Sequence, residues 1–390
     1  MALYRETVRD ILIKLRRYAS IAVDLSLYSI AFNDKTAAME TLRLEDRIDH
    51  YYRDLLAKTS IAIRSPDQAK LALGIYEVAH SLDIISDSAG DLASIVIMEY
   101  PVHEYIRAVA NCCGELVVLV KSRKSLRELP SMVDILLIKR GDSYILAPSK
   151  ARVEDGDSIV VRGSVDAVLE VASLLGDDSI MRIIDEVKPT ITMGWVGDDL
   201  ASSLLRLKSL TRQMLDLAFH ALIYNDESLA KIVADMEDTV DQVYYEALYH
   251  TYSASTPQSA REMVSLSIFI KSLEAIGDAA ARLSLSVLRG YNSSLIEEVL
   301  EEQEEVYLKL RATGKASGRK LSSLNLEDLG LITVALGRDG SWIIPVDPEH
   351  SIYEGDIILV KYYKPERLDS EKSLISKIKS LGLEPFEEEE

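Results

Sequence analysis

Cysteine is nearly missing from this chain. Cys112 and Cys113 are the only two among 390 residues, and they are adjacent, read as an ordinary reduced pair at a helix end. That excludes a disulfide scaffold and every CxxC or Cys/His zinc spacing. Long apolar runs are missing too: the strongest, over residues 21–32, is interrupted by Asp24, so no membrane span is expected. Residues 1–17 carry charge throughout and do not read as a secretory leader, which leads to the expectation of a cytoplasmic protein. Positive charge is scarce. Lys and Arg number 44 against 63 Asp and Glu, a formal charge of −19 that argues against nucleic-acid phosphates or anionic lipid as partners and suits cations. There is no nucleophile elbow, no Gly-rich phosphate loop, no HExxH, and no Ser/His/Asp or Cys/His set, so no enzyme is expected. His50 follows Asp49 directly, but the six histidines form no ligand spacing.

What the chain has instead is acid at helical spacing. Glu274 and Asp278 stand four apart in Leu273-Glu274-Ala275-Ile276-Gly277-Asp278-Ala279-Ala280, one turn from each other on one helix face. No Lys or Arg follows Glu274 by three or four residues to neutralise it. Gly277, between the two acids, costs a helix about 1 kcal/mol against Ala, which points to a close backbone approach. Glu237 and Asp241 form a second such pair on the preceding helix. The first half repeats the arrangement with Glu45 and Asp49, then Asp83 and Asp87. Glu45 to Glu237 is 192 residues and Asp83 to Glu274 is 191, a near-constant offset that marks an internal repeat. Like charges at this spacing destabilise a helix by a few tenths of a kcal/mol unless a cation compensates. Sets made only of carboxylates suit hard cations (Mg, Ca, Mn or ferric iron) rather than zinc. Asp91 extends the first ladder by one more turn and is read as facing solvent. The pairs Tyr51-Tyr52 and Tyr244-Tyr245 are read as core or interface.

Taken in order, residues 4–30 read as a long amphipathic helix, broken and recapped at Asn33-Asp34, with a second helix to 59 and a third opened by Ser65-Pro66 and running to 98. Three helices on short turns make an antiparallel bundle. Residues 101–176 read as a small α+β domain: a short helix at 103–111, a strand at 115–121, a helical turn at 125–129, a hairpin around Arg140-Gly141-Asp142-Ser143, the turn Gly156-Asp157 before a last strand, and a closing helix. Residues 177–196 form a linker. The pattern then returns: a bundle at 197–293, its third helix opened by Pro257, and an α+β domain at 294–365 with a short helix at 295–303 and Gly355-Asp356 before its last strand. The tail, 366–390, ends in Glu387 to Glu390 and is expected to fray. The fold class is therefore α+β and multidomain, with two all-α bundles alternating with two small α+β domains.

The helical units resemble the PhoU family, whose ExxxD pairs are matched by Glu237-xxx-Asp241 and by Leu273-Glu274-x-Ile276-Gly277-Asp278-x-Ala280. The resemblance implies three-helix bundles that bind metal ions such as iron, with Glu237, Asp241, Glu274 and Asp278 as ligands in the second bundle. In the first they would be Glu45, Asp49, Asp83 and Asp87, where Asp83 replaces the Glu and Ser86 the Gly. The α+β units look like the C-terminal domain of TrkA, the regulatory module of potassium transport. The residues are Ser125-Leu126-x-x-Leu129, Ile138-Lys139-Arg140-Gly141, Pro148 and Gly156-Asp157, then Lys320-Leu321-x-x-Leu324, Arg338, Pro345 and Gly355-Asp356. This second resemblance implies pairing of the two modules and a small ligand, such as cyclic di-AMP, with Arg140, Pro148, Arg338 and Pro345 as candidate contacts. Turn residues and an exposed hairpin arginine are the plain alternative. Together the resemblances imply a soluble regulator of cation transport, potassium first, or of phosphate uptake and signalling. It would work beside a membrane transporter at the inner face of the membrane, as a homodimer or an internal pseudo-dimer.

Overall fold

Helix ends in this chain are set by Thr, Asn, Asp, Ser and Pro. The computed structural model describes residues 6–111, 115–126, 132–146, 148, 152–183, 198–253, 260–291, 305–344, 346–364 and 368–386. Helix α1 (Val8–Phe32) starts on a capping box between Thr7 and Asp10 and closes on Asn33, whose φ of 52° is tolerated by Asn better than by most residues. Asp34 then caps α2 (Lys35–Ala62), accepting from the amides of Thr36 and Ala37 at 2.9 and 3.1 Å. Ser65 and Pro66 open α3 (Pro66–Ile97). A short α4 (Glu104–Ala110) follows. The second half repeats these devices. Asp198 caps α6 (Asp199–Tyr224), Asn225 ends it at φ 49°, and Asp226 accepts from the Leu229 amide at the start of α7 (Glu227–Ser253). Helix α8 is Ala260–Leu288; the expected opening at Pro257 lies outside the described residues.

The chain forms two compact units, each drawn from both halves: Met1–Asn111 with Thr192–Gln303, and Cys112–Ile191 with Glu304–Glu390. In the helical unit, α1, α2 and α3 pack on one another, as do α6, α7 and α8, and α3 lies along α8. Helix α4 packs on α1 and α6, and the Tyr105 hydroxyl donates to Asp198 at 2.7 Å, so it groups with the helices and not with the sheet that follows it. Where the bundles meet, Arg212 of α6 reaches Asp24 of α1 at 2.8 Å and Asp216 of its own helix at 3.3 Å. Asp24 and Asp216 occupy equivalent places in the repeat, 192 residues apart, and one guanidinium serves both. Arg16, also buried, lies over the ring of Phe219 at 4.6 Å.

The sheet unit holds two sheets of the same topology. The first comprises β1 (Leu116–Lys121), β2 (Val133–Arg140), β3 (Ser143–Leu146) and β4 (Ser158–Gly163), antiparallel in the order β1-β4-β2-β3. Helix α5 (Val165–Leu175) contributes Val168, Val171 and Leu175 to its core. The second comprises β5 (Glu305–Ala312), β6 (Ile332–Arg338), β7 (Ser341–Ile343) and β8 (Ile357–Tyr363), in the matching order β5-β8-β6-β7. Each bulges at the same place, between Ile135 and Leu137 and between Thr333 and Ala335. The two halves of this unit are joined by buried charge. Lys361 reaches Glu115 and Glu305 at 3.2 Å each, the Tyr363 hydroxyl donates to Glu115, and Arg162 pairs with Asp134 at 2.9 Å while lying over the Tyr363 ring.

One expectation is corrected. The tail does not simply fray: α9 (Leu368–Ser380) and β9 (Leu383–Pro385) follow, and β9 adds an edge strand to β5. Leu374, Ile378 and Leu383 are buried in the sheet core, and these few apolar residues among many Lys and Glu suffice to dock the segment. Of the helical turn expected at 125–129, only residues 125 and 126 are described, Leu126 bridging Val153; the second copy has a 3-10 helix at Leu321–Leu324. The short helix expected at 295–303 lies outside the described residues. No described helix is long and apolar enough to cross a membrane.

Candidate metal centres

The second bundle brings its acids together. Asp241 on α7 and Glu274 and Asp278 on α8 each offer an oxygen, and the three lie within 4.8 Å of one another, all half-buried. The register of α7 against α8 does this: Val240 sits beside Gly277, where a Cβ would meet it at 3.3 Å, so the missing side chain lets the helices close in. Burial, followed by the charges of Asp278 and Asp241, pushes Glu274 up to about 7. Burial pushes Asp278 and Glu237 up as well, Asp241 adding to both and Asp278 acting first among the charges on Glu237. Arg282 acts on Asp278 and Glu237 in the other direction, and Lys271 on Glu274.

The donor set fits a hard cation. It is all oxygen, and 4.8 Å is about twice a calcium–oxygen bond of roughly 2.3–2.6 Å, so three carboxylates can share one ion with small rotations. Asp241, Glu274 and Asp278 would hold it, with Glu237 alongside. The bound ion would supply the positive charge that four neighbouring carboxylates lack.

The first bundle places its acids in one another's field as well. Glu45 is pushed up to about 7 by burial, then by Asp87, Asp46, Asp91 and Asp49; Asp83 is pushed up to about 6 by burial, then by Asp87 and Asp49. All four expected residues therefore share one field, although among the described residues no three of their oxygens converge as those of the second bundle do. Arg53 pairs with Asp49 at 2.5 Å. The glycine absent at Ser86 reappears one turn later. A Cβ on Gly90 would collide with the Glu45 carboxylate, which rests on the α3 backbone there.

Two further residues stand at both sites. Burial raises Tyr52, helped by the charge of Asp83, and raises Tyr244, helped by that of Glu274. The two tyrosines are 192 residues apart, and that offset was the signal that would have found them.

The expected ligand contacts of the sheet unit are placed differently. Arg140 donates to both oxygens of Asp157 at 2.9 and 2.8 Å, to Glu154 at 3.0 Å and to the Arg152 carbonyl at 2.8 Å. Arg338 repeats this on Asp356, at 2.9 and 2.7 Å, and on the Ser351 carbonyl. Both guanidiniums are engaged by protein acceptors, the carboxylates of Asp157 and Asp356 first, which raises them further. Pro148 lies beside the hairpin, half-buried; Pro345 is outside the described residues.

The PhoU domain model matches the chain twice, over residues 12–96 and 204–287. Those spans contain the helices that carry both acid clusters. No curated protein matches the chain. Among solved structures, PhoU from Pseudomonas aeruginosa is similar, at 17% identity over 73% of this chain and 96% of its own, with a TM-score of 0.42. The GsuK RCK domain is similar at 13% identity over 68% of this chain and 64% of its own, with a TM-score of 0.18. At these TM-scores the fold rests on the chain's own elements.

Proposed function

We propose that this chain is a PhoU-like regulatory protein whose bundles hold hard metal ions and whose partner is a membrane transport system. The observation that carries the reading is the convergence of Asp241, Glu274 and Asp278 inside a span matched by the PhoU domain model. PhoU family proteins are regulatory, and the family model matches both bundles. The transported species best supported is phosphate, because the family match falls on both bundles. Cation transport, with potassium first, is the second reading, favoured by the matched sheet units and their resemblance to the TrkA C-terminal domain.

The test is metal analysis of the full chain after desalting, for the wild type and for Glu274→Gln/Asp278→Asn. Retention of Mn, Fe, Mg or Ca by the wild type and its loss in the variant supports the reading. A wild type that binds none of them when titrated sinks it. Binding of the purified chain to a reconstituted phosphate permease, against a potassium transporter, separates the two transported species.

A further inference from the structure

Away from the acid clusters, α2 and α7 each turn a further face to solvent. Helix α2 packs on α1 and α3, and α7 on α6 and α8. Positions 39, 43, 46, 50, 53, 57 and 60 of α2 are exposed, and so are 231, 235, 238, 242, 245, 249 and 252 of α7. The two sets correspond at the repeat offset of 192. Steps of four and three alternate in both, the spacing by which one helix seats a second along a straight seam. Each seam is about 32 Å long at the helical rise per residue.

The two seams differ in character. That of α7 ends in Tyr245, Tyr249 and Tyr252, exposed to 67%, 67% and 60%, where α2 has Arg53, Ala57 and Ser60. Large aromatic side chains exposed along one line mark an interaction surface. Charge divides as well. Among all the exposed residues of α2, Lys35, Arg43, Arg47 and Arg53 stand against Asp46, a balance of +3, or +4 with His50 protonated. Among those of α7, Lys231 stands against Glu227, Asp235 and Asp238, a balance of −2. The basic seam therefore complements the acidic, aromatic one, in a chain whose net charge of −19 otherwise holds copies apart.

We propose that α2 of one copy of this chain docks antiparallel along α7 of a second copy, with His50 opposite Gln242. This register sets Arg43 on the Tyr249 ring, Asp46 against the Tyr245 hydroxyl, Arg53 against Asp238 and Met39 against Tyr252, with no like charges face to face. A parallel register at the repeat offset would oppose Asp46 to Asp238. Arg43 and Arg53 pair with Glu40 and Asp49 of their own helix, yet 55% and 74% of their side chains stay exposed, enough to meet a ring or a carboxylate. The contact joins different faces of the two copies, so a pair still leaves one seam of each kind unused. It uses none of the carboxylates assigned to metal above, and stands or falls apart from that reading.

Sedimentation velocity of the full-length chain over a concentration series reads the association. The wild type is expected to grow beyond the monomer as concentration rises. Arg43→Ala/Arg53→Ala and Tyr245→Ala/Tyr249→Ala, which remove only exposed or half-exposed side chains, are each expected to weaken association about tenfold or more. Mixed one to one, each variant supplies the seam that the other lacks, so the mixture is expected to form a complex that stops at two chains. For the register, Arg53→Asp and Asp238→Arg should each weaken association alone and restore it when combined in one chain. A wild type monomeric at every concentration overturns the proposal, as does association that either alanine variant retains or that their mixture fails to recover. If the charge exchange gives no rescue while the mixture does, the antiparallel register is overturned and the pairing of the two seams stands.

Discussion

Single side chains set the chemistry of both clusters through the cost of packing carboxylates together. Glu45 and Glu274, ordinarily near 4.5, are pushed up to about 7 by burial first and neighbouring acids second. The folded chain therefore binds more protons than the unfolded chain between those values. The contribution of these two groups to stability is complete below about pH 4.5, declines as pH rises, and is gone above about 7. Urea melts of the metal-free protein in chelator should show a falling midpoint from pH 5 to pH 8. Saturating Mn2+ should flatten that slope, because the ion replaces the protons. In the sheet unit, Asp356 is nearly fully buried and accepts from both Arg338 and the Tyr353 amide. Asp356→Ala should cost about 2 kcal/mol by leaving those donors without their acceptor, measured by chemical denaturation.

At the scale of elements, helix boundaries were legible because their chemistry is local. Asn33-Asp34, Ser65-Pro66 and Asn225-Asp226 close or open helices through their own side chains and backbone preferences. The acid pairs were legible for the same reason, since a spacing of four is a property of one helix. What escaped was partnership across distance. Gly156-Asp157 reads as a turn, and only the fold shows that Asp157 reaches back 17 residues to Arg140, although the same Arg and Gly-Asp recur in the second copy. Gly90 gave no signal, because its reason is a carboxylate on α2. The tail reads as frayed because its apolar residues, among them Leu374, Ile378 and Leu383, are dispersed through a charged stretch that ends in four glutamates. Its docking has a direct test: Ile378→Ala, at a fully buried position, should destabilise the chain by about 2–5 kcal/mol. A frayed tail would give no change in thermal or urea unfolding.

For the molecule as a whole, the repeat is used to make interfaces. The bundles meet along α3 and α8, and Arg212 lies between Asp24 and Asp216 at the junction. Arg212→Ala would remove a buried cation that reaches both aspartates and should destabilise the chain by about 1–3 kcal/mol. Arg212→Lys should recover part of that, which urea unfolding would show. The sheet unit has its own junction in Lys361, with Glu115 from the first half and Glu305 from the second. Neither unit is encoded by a continuous stretch of chain, so chain order and spatial order differ throughout.

That interleaving has a consequence for synthesis. Helix α3 ends at Ile97 and its packing partner α8 at Leu288, 191 residues later. At roughly 5–20 residues per second, the first bundle leaves the ribosome about 10–40 s before the surface it is built to cover exists. Two chains growing side by side on one message offer each other that surface first. Exchange between nascent copies, giving dimers locked through swapped halves, is therefore the characteristic hazard of this architecture, and it grows with the density of ribosomes on the message.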